Sequence, residues 1–212
     1  MKGTLEFASR RNLMNGMDET SRKAFMVLER SCEAMINLMR DLNTMHESEG
    51  KKQIIYLQKH SIEQFLKEVI EESETLAFGK NITLKLKADP KLPSEVNIDS
   101  HRVREILANL ISNAIKYSHR NTQIELNADF DERLSRLNFA VLDQGQGIPH
   151  EEIPMLFTEF GKTSVKPTAG EHSSGLGLAN VKRIVHFLGG DVSAESKCGK
   201  GSKFSFWIPY LT

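Results

Sequence analysis

The sequence predicts an α+β domain, a mixed sheet with helices packed on one face, preceded by an antiparallel helical hairpin. Three observations predict it. Strand-period and helix-period segments interleave from residue 51 onward, an order that builds a sheet and a helical layer around one core. Residues 25–42 carry instead a narrow apolar seam. Two glycine-paired turns, Asp143-Gln-Gly-Gln-Gly147 and Ser174-Gly-Leu-Gly-Leu178, each sit beside an apolar run. The expected boundary falls at residue 50, with a hairpin over 1–50 and the α+β domain over 51–212.

The seam comprises Phe25, Leu28, Cys32, Met35, Met39 and Leu42, spaced alternately by three and four. That is the a/d pattern of a coiled coil rather than the wider face of a globular helix. Asn15-Gly16 is a turn signal, and Asp18 is a helix start. The reading is a hairpin of helices over Met1–Met14 and Asp18–Glu47. A seam this narrow calls for a second copy, so the hairpin predicts a homodimer through a four-helix bundle. One long amphipathic helix lying on the second domain is the alternative.

After Glu49-Gly50 the elements alternate. Ile54–Leu57 reads as a short strand. Ser61 caps a helix to Phe78, with Ile62, Phe65, Leu66, Val69 and Ile70 on one face, and Gly79 ends it. Ile82, Leu84 and Leu86 alternate as a strand, and Pro90 to Pro93 is a loop. Asp99 or Ser100 caps the helix bearing Val103, Ile106, Leu107, Leu110 and Ile111. Ile124 to Phe130 and Leu137 to Val141 form a hairpin. Met155-Leu156-Phe157 falls in a short helix. A polar stretch follows, then a helix from about Leu176 to Leu188 and a last hairpin of Asp191–Ser196 with Lys203–Pro209.

Composition excludes several classes. Lys+Arg and Asp+Glu balance at 28 each, which argues against a nucleic-acid surface. No stretch reaches the roughly 18 apolar residues of a membrane span, and no apolar signal region opens the chain, so it reads as cytoplasmic without membrane contact. Cys32 and Cys198 are too few and too far apart for a disulfide framework or a zinc site.

The chemistry lies in three segments. Asn109, Asn113 and Lys116 are four and three residues apart, so they share one helical face. An amide oxygen suits Mg²⁺, which also keeps phosphate oxygens and waters. A solvated face is the alternative, although Asn is a poor helix former. Asp143 ends an apolar strand, where a carboxylate can accept the exocyclic amine of adenine; a turn-forming Asp is the alternative. Gly175 and Gly177 open a helix whose N-terminus can face phosphate; a small-residue packing contact is the alternative. Together they outline a nucleotide pocket that is neither a Walker loop nor a dinucleotide fingerprint. The stretch Gly161–Ser174 between them has the length and polarity of a lid.

In this order the segments closely resemble the ATP-binding domain of sensor histidine kinases, within the superfamily that includes gyrase, mismatch-repair and heat-shock chaperone ATPases. Asn109 to Tyr117 resembles the N box, Asp143 to Gly147 the first glycine box, Phe157-Thr-Glu-Phe160 the F box and Ser174 to Leu178 the second glycine box. Gly199 to Phe204 resembles the terminal glycine turn. The resemblance implies a two-layer Bergerat-type sandwich, ATP and Mg²⁺ as ligands, and Asn113 as the metal ligand. It also implies an ATP-binding set of Asn109, Asn113, Lys116, Tyr117, Asp143, Gly145, Gly147, Ile148, Phe160, Lys162, Ser174, Gly175, Leu176, Gly177, Leu178 and Ser202. Lys162 matches the basic position that reaches toward the γ-phosphate.

In the hydrolysing relatives a Glu base stands where this chain has Asn109, which fits a kinase that holds ATP for transfer. The hairpin resembles the dimerisation and phosphotransfer domain, but no His-Asp/Glu-x-x-x-Pro motif occurs in it. The expectation is that the chain starts downstream of the phosphoacceptor, as a shortened chain or a natural variant lacking it. The first is preferred, because half a helix would leave the Phe25–Leu42 seam unpaired at one end. The implied partner is the receiver domain of a response regulator. A non-catalytic dimerisation module that regulates a partner kinase is the rival reading.

Overall fold

The computed structural model describes Asp18, Ser21 and residues 54–159, 161, 163–171 and 175–211. The chain divides into two units, Met1–Asn43 and Thr44–Thr212. In the first, the Ser21 N–H donates to Asp18 Oδ1 at 2.8 Å, the contact of an N-cap with the third helical residue. The Phe25–Leu42 seam, the Met1–Met14 helix and Cys32 lie outside the described residues.

The second unit opens with β1 (Gln58–Ser61), then α1 (Ile62–Phe78), β2 (Thr83–Ala88), β3 (Glu95–Ile98) and α2 (Ser100–Tyr117). β4 (Gln123–Asp131), β5 (Arg136–Asp143), a 3₁₀ turn (His150–Met155), α3 (Gly177–Phe187), β6 (Asp191–Lys197) and β7 (Gly201–Pro209) complete it. The main sheet runs β2-β4-β5-β7-β6, with only the β2–β4 pair parallel. That pair is joined through β3 and α2, the crossover that parallel strands require. β1 and β3 form a separate antiparallel pair.

Side chains alternate across a strand, so register decides which residues share the core. Leu126, Val141 and Phe204 make one buried row, and Ala128, Phe139 and Phe206 the next. Phe139 stacks on Phe206 with ring centroids 4.9 Å apart. Val103, Ile106, Leu107, Leu110 and Ile111 of α2 and Val181, Ile184 and Val185 of α3 complete the core. Each such side chain contributes about 1.5–3 kcal/mol on burial. The opposite face of the sheet carries Glu125, Asn138, Lys203, Trp207 and Glu195, none of them buried. The observed architecture is the two-layer α+β arrangement that the pattern predicts.

Three local expectations are corrected. Ile54–Leu57 is not a strand: all four residues are exposed, and pairing starts at Gln58. The apolar run finds no partner because β3 ends at Ile98, which pairs with Gln58. β3 itself is missing from the sequence-level reading, because four residues just after Pro93 blend into the loop. The helical turn spans His150–Met155, so of Met155, Leu156 and Phe157 only Met155 lies in it. Pro154 lies inside this short 3₁₀ segment, and Leu156 caps it with its N–H on the Ile153 carbonyl.

Candidate nucleotide site

The alternation of β5 that buries Leu137, Phe139 and Val141 carries on to Asp143, which therefore lies on the core face beneath α2. A carboxylate there is unusual, since burial disfavours its charge. Its Oδ1 accepts from the Gly145 N–H at 2.8 Å and the Ser202 N–H at 3.2 Å. Oδ2 has no hydrogen-bond partner among the described residues. Burial pushes the Asp143 carboxyl above its ordinary value, and the Gly145 and Ser202 hydrogen bonds offset only part of that shift.

The turn after Asp143 is fixed from both sides. A Cβ on Gly145 would stand 2.6 Å from the Tyr117 carbonyl at the end of α2. Gly147 has φ +68°, and a Cβ there would overlap the Lys197 carbonyl. The Gly199 N–H donates to the Gln146 carbonyl at 2.7 Å. The Ile148 N–H donates to Ser196 Oγ at 2.8 Å, and Ser196 Oγ lies 2.9 Å from Ser202 Oγ. Ile148 is half-buried. Ser196 thus ties Ile148 to Ser202, a link that nothing in the spacing of β6 signals.

α2 starts where Asp99 Oδ1 accepts from the Arg102 N–H at 3.1 Å. Its apolar stripe faces the core, leaving Asn109, Asn113, Lys116 and Tyr117 half-buried outside that stripe. Asn109 Nδ2 donates to the Glu105 carbonyl at 3.0 Å. Its Oδ1 would lie 3.1 Å from a Cβ placed on Gly177. The Asn-bearing helix and the start of α3 therefore meet, as expected. Leu176 is buried and Gly175 and Leu178 are half-buried at that junction. One turn deeper, Asn180 Nδ2 donates to Glu105 Oε1 at 2.9 Å, and Arg183 donates to Asn180 Oδ1 at 2.6 Å. The sequence-level reading missed Glu105 and Asn180, whose signal is a polar pair facing each other between two apolar stripes.

Phe160, Lys162 and Ser174 lie outside the described residues. The intervening stretch touches the site at its middle. Gln146 Nε2 donates to the Lys166 carbonyl at 2.8 Å, and the Thr168 N–H to the Lys116 carbonyl at 3.0 Å. Among the described residues no cluster of three His, Cys, Asp or Glu could hold a metal ion. The donor that the sequence suggests is the neutral amide of Asn113, which would suit Mg²⁺ only if phosphate oxygens and waters supplied the other ligands. No helix among the described residues is long and apolar enough to cross a membrane.

Known proteins are similar to this chain in sequence and fold. The hybrid signal transduction histidine kinase B of Dictyostelium discoideum is 31% identical over 196 residues, covering 91% of this chain and 10% of that protein. The sensor histidine kinase WalK of Bacillus subtilis is 30% identical over 190 residues, covering 87% of this chain and 30% of that protein. The chain thus spans less than a third of either relative. The crystal structure of full-length ShkA in complex with AMPPNP aligns with a TM-score of 0.76 and 26% identity, over 99% of this chain and 45% of that one. Residues 98–212 match the family described as histidine kinase-, DNA gyrase B- and HSP90-like ATPase. The chain belongs to that family, and its second unit is an ATP-binding domain of the histidine kinase kind.

Proposed function

We propose that this chain is the ATP-binding kinase core of a two-component sensor histidine kinase. It binds Mg-ATP and delivers the γ-phosphoryl group to a histidine outside these residues. A P–O bond of ATP breaks, a P–N bond to the imidazole forms, ADP leaves and the imidazole nitrogen loses its proton. The phosphoryl group then passes to an aspartate of a response-regulator receiver domain. The observation that carries this reading is Asp143: one oxygen held by Gly145 and Ser202, the other left for an adenine amine, beside an Asn-bearing helix and a glycine-opened one.

Catalysis of phosphoryl transfer is mostly positioning and charge neutralisation. Asn113 would hold Mg²⁺ once the nucleotide brings its phosphates, and the ion would neutralise charge on the phosphate oxygens. Asn109, Lys116 and Tyr117 line the phosphate and ribose side, and Gly175 and Gly177 present backbone at the start of α3. Lys162, in the lid Gly161–Ser174, reaches toward the γ-phosphate, with Phe160 of the F box just before the lid and Ser174 at its end. The hairpin makes the dimer, the acceptor histidine comes from outside these residues, and the whole works in the cytoplasm.

Transfer rather than hydrolysis is supported by Glu105, the carboxylate nearest to Asn109 along α2. Its Oε1 accepts from Asn180 and its Oε2 from Arg102, so it is engaged rather than poised over a water. The test supplies a separate helical acceptor bearing the histidine, together with Mg-ATP labelled on the γ-phosphate. The reading expects label on the acceptor histidine and little phosphate release without it. Steady release of phosphate with no acceptor would make the chain an ATPase instead.

A further inference from the structure

Lys80 sits in the turn Gly79-Lys80-Asn81 between α1 and β2, where a lysine would ordinarily reach into water. Its side chain is instead 7% exposed. The ammonium donates to the carbonyls of Ile115 at 2.7 Å, Lys116 at 2.9 Å and Ser118 at 3.4 Å. Those are among the last carbonyls of α2, the negative end of its dipole, so this half of the contact is a helix cap. The other half comes from the stretch between the F-box and the second glycine turn. Thr168 Oγ1 accepts from Lys80 at 2.8 Å, and Glu171 pairs with it at 2.5 Å.

We propose that Lys80 is a positioning residue for the nucleotide site, clamping the segment Thr168–Glu171 onto the end of α2 and thereby slowing nucleotide release. The inference rests on the kinase-core reading above. A buried ammonium is costly without an anion, and Glu171 is the anion that it meets. Docking of the segment and burial of Lys80 are therefore one event. The docked segment reaches both walls of the pocket. Thr168 bonds the carbonyls of Lys116 and Ser118 through its hydroxyl, at 3.2 and 2.6 Å. Two residues earlier, the Lys166 carbonyl accepts from Gln146 of the turn that follows Asp143. Lys80 touches none of the residues assigned to ATP except the Lys116 backbone. It acts through the lid.

The test compares the intact chain with Thr168→Val/Glu171→Gln, with Glu171→Gln alone, and with Lys80→Met. The first two leave the three carbonyl contacts of Lys80 in place, whereas Lys80→Met also removes the cap and should lower the melting temperature. Hydrogen exchange of residues 163–171 without nucleotide reads the clamp. Stopped-flow release of a fluorescent ADP analogue reads its effect on the site. The double variant should exchange at Thr168 and release nucleotide about tenfold faster, the scale of one lost charge-assisted hydrogen bond. Its melting temperature should stay within about 3 °C of the parent. Unchanged exchange in the double variant overturns the clamp, and faster exchange with unchanged release overturns the positioning role. A parent chain that binds no nucleotide sinks the kinase-core reading, while the exchange experiment still decides the clamp.

Discussion

Asp143→Asn separates a residue held for binding from one held for stability. The parent Oδ1 serves two backbone donors, Gly145 at 2.8 Å and Ser202 at 3.2 Å. Asn has one oxygen. If it stays on those donors, its amide NH₂ meets the adenine amine, donor against donor. If it flips to adenine, the NH₂ faces Gly145 and Ser202 instead. Either way a charge-assisted hydrogen bond is lost, about 1.5–3 kcal/mol, which is roughly 10- to 150-fold in affinity. Stability should move the other way. Burial raises the carboxyl's pKa in the fold, so the ionised form at neutral pH destabilises the native state, and that penalty shrinks as pH falls below the raised pKa and is gone below the ordinary aspartate value. Asn carries no such charge. Calorimetric titration with ADP and a thermal melt at pH 7 check both: affinity should fall by the stated factor while the melting temperature holds or rises. Affinity within twofold of the parent would refute the adenine assignment. A joint collapse of affinity and melting temperature would make Asp143 a structural residue.

Three further outcomes follow from the geometry. Gly147→Ala places a side chain at φ +68° and into the Lys197 carbonyl, so it should destabilise by about 1–3 kcal/mol or more and lower the denaturant midpoint. Asp99→Ala removes the acceptor of both the Arg102 and Tyr56 N–H groups, and a chemical melt should show a loss of about 1–2 kcal/mol. For Glu171, burial raises the carboxyl's pKa, but the hydrogen bonds from Lys80 and from the Glu171 and Ala169 N–H groups, with the Lys80 charge, together outweigh it, and the net value is lowered. Its contribution is thus present above the ordinary glutamate value and lost as pH falls through the lowered one. Exchange of residues 163–171, corrected for the intrinsic rate, should be constant through neutral pH and rise in acid.

What could be read from the sequence follows from which elements bury one face. β4 and β5 were legible because Ile124, Leu126 and Ala128 and then Leu137, Phe139 and Val141 alternate into the core. The same alternation, carried one step on, puts Asp143 on that face, so the strand-end carboxylate could be singled out. The glycine turns were legible because close backbone approach leaves no other residue for Gly145 and Gly147. Ile54–Leu57 misled because apolar residues without a pairing partner look like a strand. The parallel β2–β4 pair was not legible, since it joins strands separated by β3 and α2. Lys80, Ser196, Glu105 and Asn180 were invisible for one reason: each acts through a partner 6 to 88 residues distant, and no local pattern encodes that partner.

The central claim is a working ATP site built around Asp143 and the two helices. Its most direct test is calorimetric titration of the chain with ADP and a non-hydrolysable ATP analogue, with and without Mg²⁺, and with GDP as the contrast. The account predicts micromolar adenine-nucleotide binding that Mg²⁺ strengthens and that GDP does not reproduce. No binding, or equal binding of GDP and ADP, would contradict it.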